Sequence, residues 1–171
     1  MLRIRSVHIL WVVVFTTAMS LLPALGQKDD VPRTAPDFVL TTLDGKQIRL
    51  SHYSGKVVLL DFWATWCVPC QTEIPRFVSF QNRFAKQGFQ VIGISMDDTS
   101  EPVKKFYSKF KMNYPVAIGT ERVARAYGGV LGLPLTFLIA PDGRIVERYD
   151  SSADLDKVEA EIRKLLRRTA Y

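Results

Sequence analysis

The chain predicts an α/β layered sheet with helices on both faces. Three observations lead there: apolar runs too continuous for strands with one wet face, helical periodicities between them, and a closing pair of strands and a helix around Pro141-Asp142-Gly143. Alternating strands and helices bury both kinds of apolar surface only when the helices cover a central sheet. The 171 residues are 47% hydrophobic and 23% charged, which supplies the core of one globular domain. That balance excludes a disordered chain, a collagen-like chain and a multi-span membrane protein.

Phe38 to Thr42 and Gln47 to Leu50 flank the turn dipeptide Asp44-Gly45 and predict a β-hairpin. Val57 to Trp63 is nearly unbroken apolar sequence, as expected of a strand buried on both faces of a parallel sheet. From about Cys70 to Lys86, Ile74, Phe77, Val78, Gln81 and Phe84 recur at helical spacing, and Gly88 marks the stop. Phe89 to Ser95 predicts a second buried strand, Ser100 to Lys111 a helix, Val116 to Ile118 a short strand and Glu121 to Tyr127 a further helix. Leu135 to Ala140 and Arg144 to Tyr149 bracket the Pro-Asp-Gly turn. Leu155, Val158, Ile162, Leu165 and Leu166 then share one face of a last helix. No repeat or low-complexity segment interrupts this series.

The first 26 residues have a different character. Arg3 and Arg5 precede a stretch from Ser6 to Gly26 without Asp, Glu, Lys or Arg, which is the pattern of an export signal. Its most apolar part ends at Pro23, and Ala24-Leu25-Gly26 puts small residues where cleavage before Gln27 needs them. The whole uncharged stretch is also just long enough to remain as an anchor. Either outcome places the rest of the chain outside the cytoplasm, on the periplasmic or outer side of the membrane, with membrane attachment only through an uncleaved leader. Residues 27–36, polar with two prolines, are expected as a linker, and 37–171 as the domain. Setting Arg3 and Arg5 aside lowers the net charge from +6 to about +4, too mild to imply nucleic acid.

Two cysteines cannot build a disulfide framework, so Cys67 and Cys70 must act locally. Structural zinc needs four ligands, and this part of the chain has two Cys and His52. Attachment of c-type haem needs His after the second Cys, where Gln71 stands. A reversible disulfide fits, with an inert bridge or buried thiols as the bland reading. At a helix start the dipole and free N–H groups stabilise a thiolate at Cys67, which would attack, while Cys70 one turn inside would resolve the mixed disulfide.

The run Val57 to Pro75, with Asp-Phe-Trp-Ala-x-Trp-Cys-x-Pro-Cys, resembles thioredoxin-fold oxidoreductases. Trp66-Cys67-Val68-Pro69-Cys70 with Glu73-Ile74-Pro75, the leading hairpin and the export-like start resemble the extracytoplasmic TlpA/ResA-like branch most closely. The resemblance spans about Ala35 to Leu166. It implies a thioredoxin-like fold, a central mixed β-sheet with helices on both faces and an N-terminal β-hairpin extension. It also implies that Gly132-Leu133-Pro134-Leu135-Thr136 is the loop whose proline is cis, leaving the main chain of Leu133 to pair with a substrate strand beside Trp66.

Two acids complete the implied site. Asp61 matches the buried aspartate of thioredoxins proper, and Glu73 the buried glutamate of the TlpA/ResA-like branch, whose members often carry Asn at the first position. A desolvated carboxyl near a thiol has a raised pKa and can take the proton of the resolving sulfur. Which of the two does so stays open, since Glu73 also suits an exposed first helical turn. The implied activity is thiol–disulfide exchange with exported protein thiols or disulfides, reduction of apocytochrome c among its forms, served by a membrane electron donor of the same chemistry. No cofactor and no metal are implied.

Rival readings find less support. A peroxiredoxin-like peroxidase resembles a Pro-x-x-x-Thr-x-x-Cys pattern, whereas Ala64-Thr65-Trp66 precedes Cys67. A copper-delivery chaperone on the same fold resembles a CxxxC pair with a distant His, and no His follows His52. His52 itself suits a solvated loop, and Gly128 to Gly132 lacks the helix start that would cradle phosphate. Asp97-Asp98-Thr99-Ser100 is expected to cap the next helix. Arg163, Lys164, Arg167 and Arg168 are expected in the solvated last turns of the closing helix.

Overall fold

The computed structural model describes residues 32–151 and 153–169, so the expected leader and the first half of the expected linker, 27–31, lie outside the described residues. The apolar run β3 (Val57–Trp63) is buried at every position, and β4 (Phe89–Ser95) lies parallel to it in a register running from Val57 opposite Phe89 to Trp63 opposite Ser95. On the other side of β3, β6 (Leu135–Ile139) runs antiparallel and sets Asp61 opposite Thr136. With β5 (Val116–Ile118) outside β4 and β7 (Ile145–Asp150) outside β6, the sheet is mixed, in the order β5-β4-β3-β6-β7.

Period-2 alternation along β3 divides the core in two. Val57, Leu59 and Trp63 face helix α1 (Val68–Phe84), helix α2 (Ser100–Lys109) and helix α4 (Leu155–Thr169), packing with Ile74, Phe77, Val103, Val158 and Ile162. Val58, Leu60 and Phe62 face the opposite way, toward Val123 of helix α3 (Glu121–Ala126), Tyr127 and the hairpin residues Leu40 and Ile48. Fully burying a side chain such as Ile74 or Phe77 contributes about 1.5–3 kcal/mol. These two fully enclosed residues therefore clamp α1 to the sheet.

The hairpin, β1 (Val39–Thr41) with β2 (Gln47–Arg49), forms its own two-stranded sheet. Thr42 bridges to Ala117 and the Leu43 N–H donates to the Val116 carbonyl at 3.0 Å, so the hairpin's end covers the short edge strand β5. The stretch just before the hairpin is also attached. The Ala35 N–H donates to Gly143, the Ile145 N–H to Arg33, and the Tyr127 hydroxyl to the Pro36 carbonyl.

Helix α1 starts at Val68, ahead of the expected Cys70, and gives way to a 3-10 turn at Ala85–Gln87. Pro69 occupies a first-turn position where a missing N–H costs nothing. Gly88, with φ of 88°, supplies the left-handed stop. Among the described residues no helix is long and apolar enough to cross a membrane.

Candidate functional site

The sheet delivers the cysteines. β3 ends at Trp63, three residues follow, and Cys67 becomes the N-cap of α1, its sulfur accepting from the Cys70 N–H at 3.3 Å. Cys67 and Cys70 are joined as a disulfide, with S–S 2.02 Å and Cα–Cα 5.3 Å. Cys67 is 5% exposed and Cys70 1%, a narrower contrast than their order along the helix suggests. Their surroundings differ more: Trp66 and Val68, on either side of Cys67, are 67% and 69% exposed, the rim of an otherwise buried site.

The two acids lie on β3 and on α1, the elements that lead into and out of the cysteine turn. Asp61 is on the α1-facing side of β3 and accepts one hydrogen bond, from Thr136 Oγ1 at 3.0 Å. Burial pushes its carboxyl from the ordinary 3.8 up to about 8, the Thr136 hydroxyl pulls it back in part, and the charge of Glu73 adds to the rise. Glu73 is not on the surface of the helix: it is buried, with Oε1 accepting from the Ala153 N–H at 2.9 Å and Oε2 without a partner among the described residues. Burial raises its pKa as well, against the opposing pull of that N–H. Both carboxyls therefore hold a proton more tightly than an exposed acid does, and Asp61 also feels the charge of Glu73.

Two further buried atoms have no hydrogen-bond partner among the described residues, Trp63 Nε1 and the Tyr114 hydroxyl. Gly93, opposite Asp61 in β4, is where they crowd in: a Cβ there would lie 3.1 Å from Trp63 Nε1 and 3.4 Å from Tyr114 Cε2. Burial, and then the charge of Asp61, holds the Tyr114 phenol well above its ordinary range.

Leu133–Pro134 is a cis peptide bond at the start of β6. The Pro134 carbonyl accepts from the Ser151 N–H at 3.1 Å, and Ala153, two residues on, is the donor to Glu73. One loop therefore touches both the proline and the glutamate.

The run Asp97 to Ser100 does end in the N-cap of α2, Thr99, but among the described residues no side chain makes the cap hydrogen bond, and Asp97 does not serve the helix. Asp97 instead turns toward the cysteine loop, accepting from the Thr65 N–H at 2.9 Å, from the Thr65 hydroxyl, and from Ser95 Oγ at 2.7 Å. Gln71 Nε2 donates to the Thr65 carbonyl at 3.0 Å from the other side. No periodicity in the chain announces these partners, because Thr65 and Asp97 are separated by 32 positions. His52 sits exposed in a 3-10 turn at Leu50–Tyr53. Among the described residues no group of three His, Cys, Asp or Glu side chains is placed to hold a metal ion.

A cysteine pair closed across a helix's first turn, in a domain that also holds a cis proline and two buried carboxyls, is built to make and break one disulfide. On a five-stranded mixed sheet of this order, that chemistry defines a thiol–disulfide oxidoreductase of the thioredoxin fold. The chain belongs to the AhpC/TSA family, whose pattern matches residues 31–148. It is 35% identical over 141 residues to the thiol-disulfide oxidoreductase ResA of Bacillus thuringiensis subsp. konkukian, covering 81% of this chain and 80% of that one. A thiol:disulfide interchange protein of the thioredoxin family from Chlorobium tepidum superposes with a TM-score of 0.74 at 31% identity, covering 79% of this chain and 97% of the other. A secreted thiol-disulfide isomerase from Corynebacterium glutamicum does so with a TM-score of 0.71 at 25% identity, over 77% of this chain and 84% of its own.

Proposed function

We propose that this oxidoreductase works outside the cytoplasm, reducing disulfides of exported proteins, apocytochrome c among them, and that a membrane donor of the same chemistry returns its own disulfide to the dithiol. The observation that carries the reading is the Cys67–Cys70 bridge at the start of α1, where a thiolate at the outer sulfur gains from the helix dipole and from the Cys70 N–H. The export-like start of the chain, from Arg3 to Gly26, supports the location.

In the reduced chain, the Cys67 thiolate attacks one sulfur of the substrate disulfide. That S–S bond breaks, a mixed disulfide forms, and the substrate's departing thiolate takes up a proton. Cys70 then loses its proton to a carboxylate, Asp61 or Glu73, and attacks the Cys67 sulfur. The mixed disulfide breaks, the Cys67–Cys70 bond forms and the second substrate thiolate leaves. Two electrons pass from the pair to the substrate. Trp66 presents an exposed apolar surface to the incoming chain, and the main chain of Leu133 before Pro134 pairs with it as a strand.

Cys70→Ser leaves the first step intact and blocks the second. Expressed with its full N-terminus, it is expected to accumulate mixed disulfides at Cys67 with exported proteins, identified by mass spectrometry. Adducts confined to cytoplasmic proteins would overturn the location, and a folded variant that forms none would overturn the exchange with protein substrates.

A further inference from the structure

We infer that Asp97 is a positioning residue for the exchange reaction, holding the turn that carries Cys67 through Thr65 without touching either sulfur. The inference rests on Cys67 being the attacking thiol.

Asp97 lies two residues beyond β4 and is 7% exposed. Its carboxylate receives three donors, the N–H and hydroxyl of Thr65 and the hydroxyl of Ser95. Ser95 Oγ accepts in turn from the Asp97 N–H at 3.1 Å, so the acceptor is fixed to the end of its own strand. The Met96 N–H donates to the Trp63 carbonyl at 2.7 Å, carrying the β3–β4 pairing past its last registered pair and bringing Asp97 to Thr65. Thr65 is thus tied at one end to β4 and, through Gln71, at the other to the first turn of α1. Trp66 and Cys67 follow it directly.

The choice of a carboxylate has a geometric reason. Three donors converge on one side chain, and only a carboxylate offers two oxygens that both accept. An amide would keep an acceptor for the Thr65 N–H only by turning its N–H2 group toward the Thr65 hydroxyl, which must then give up its own donation and accept. The same choice carries an electrostatic cost, because a negative charge bonded to Thr65, two residues before Cys67, disfavours a thiolate there. A brace and a charge therefore make opposite demands on Cys67. If Asp97 acts as a brace, removing it lets the sulfur drift from the helix N-terminus and raises the thiol's pKa. If it acts as a charge, removing it lowers that pKa.

The test uses the full chain, reduced, at a temperature well below unfolding, in the wild type, Asp97→Asn, Thr65→Val and Thr65→Ser. Oxidised glutathione is the probe disulfide, stopped flow gives the rate of attack, and thiolate absorbance titrates Cys67. Asp97→Asn and Thr65→Val are expected to attack about tenfold more slowly, since small misplacements of a nucleophile have large effects on rate. Both should raise the Cys67 pKa. Both should also shift the glutathione equilibrium about tenfold toward the disulfide, which is about 30 mV for this two-electron couple. Thr65→Ser keeps both donors and should restore the rate lost in Thr65→Val.

A lowered Cys67 pKa in Asp97→Asn would overturn the inference. So would a lower unfolding temperature with rate and equilibrium unchanged, and Thr65→Val alone decides the matter if Asp97→Asn does not fold. Wild-type protein that takes glutathione on Cys70, or that folds and does not exchange at all, would overturn the assignment of Cys67 and this inference with it. Exchange at Cys67 at equal rates in all four proteins would overturn this inference alone.

Discussion

Replacing Asp61 by Asn removes a charge that the fold must otherwise carry away from water. Burial holds this carboxyl's pKa at about 8 against an ordinary 3.8, so the folded chain keeps a proton that the unfolded chain gives up. Below the unfolded value both states are protonated and the fold bears no penalty. Stability then falls as pH rises from that value toward the folded one, and above it the whole penalty is in place. At about 1.4 kcal/mol per pH unit, the span from 3.8 to about 8 is worth up to about 6 kcal/mol. Asn keeps an oxygen for Thr136 Oγ1 but buries an N–H2 where the carboxyl has no second hydrogen-bond partner among the described residues, at a cost of about 1–3 kcal/mol if it stays unpaired. Asp61→Asn is therefore expected to stabilise the oxidised protein by about 3–5 kcal/mol near pH 9, and to destabilise it by about 1–2 kcal/mol near pH 4. Urea unfolding of both proteins at the two pH values, with equal slopes against urea, measures the difference. A difference of the same size and sign at both ends would refute the raised pKa and the linkage built on it.

The same side chain has a kinetic signature. In stopped flow near pH 7, Asp61→Asn should slow decay of the mixed disulfide about 10²-fold while its formation changes little. Glu73→Gln should act in the same direction, because that carboxyl is buried and one of its oxygens has no partner among the described residues. Unchanged decay in both variants would mean that the proton of Cys70 passes straight to water. Brief iodoacetamide treatment of reduced protein should label Cys67 ahead of Cys70, as the more exposed sulfur between two exposed neighbours; the reverse order, read by peptide mapping, would reverse their roles. Gly93→Ala would press a methyl to 3.1 Å from Trp63 Nε1 and Val116 Cγ2, and overpacking of this kind costs about 1–3 kcal/mol. An unaltered unfolding temperature by calorimetry would show that the pocket gives way instead.

What the chain determined by itself is what depends on neighbours in sequence. The limits of β4 and β5 are legible because apolar runs between turn residues are local signals, and β3 is legible because both of its faces are buried. The Cys67–Cys70 pair is legible for the same reason, since one helical turn brings the two sulfurs together whatever surrounds it. In α1, spacing identified Ile74, Phe77, Val78, Gln81 and Phe84 as inward, of which Val78 is only half-buried, and missed Phe80, because a helix enclosed by a sheet and a second helix buries more than one stripe. Tertiary structure alone decided the acids. Glu73 suits an exposed first turn until the Ala153 N–H, 80 positions away, closes over it. Asp97 looks like a helix cap until Thr65, 32 positions back, turns it toward the cysteines. Periodicity tells which side of a helix or strand is apolar, but a carboxylate's depth and partners are set by whichever distant backbone the fold brings to it, and its proton affinity follows from both.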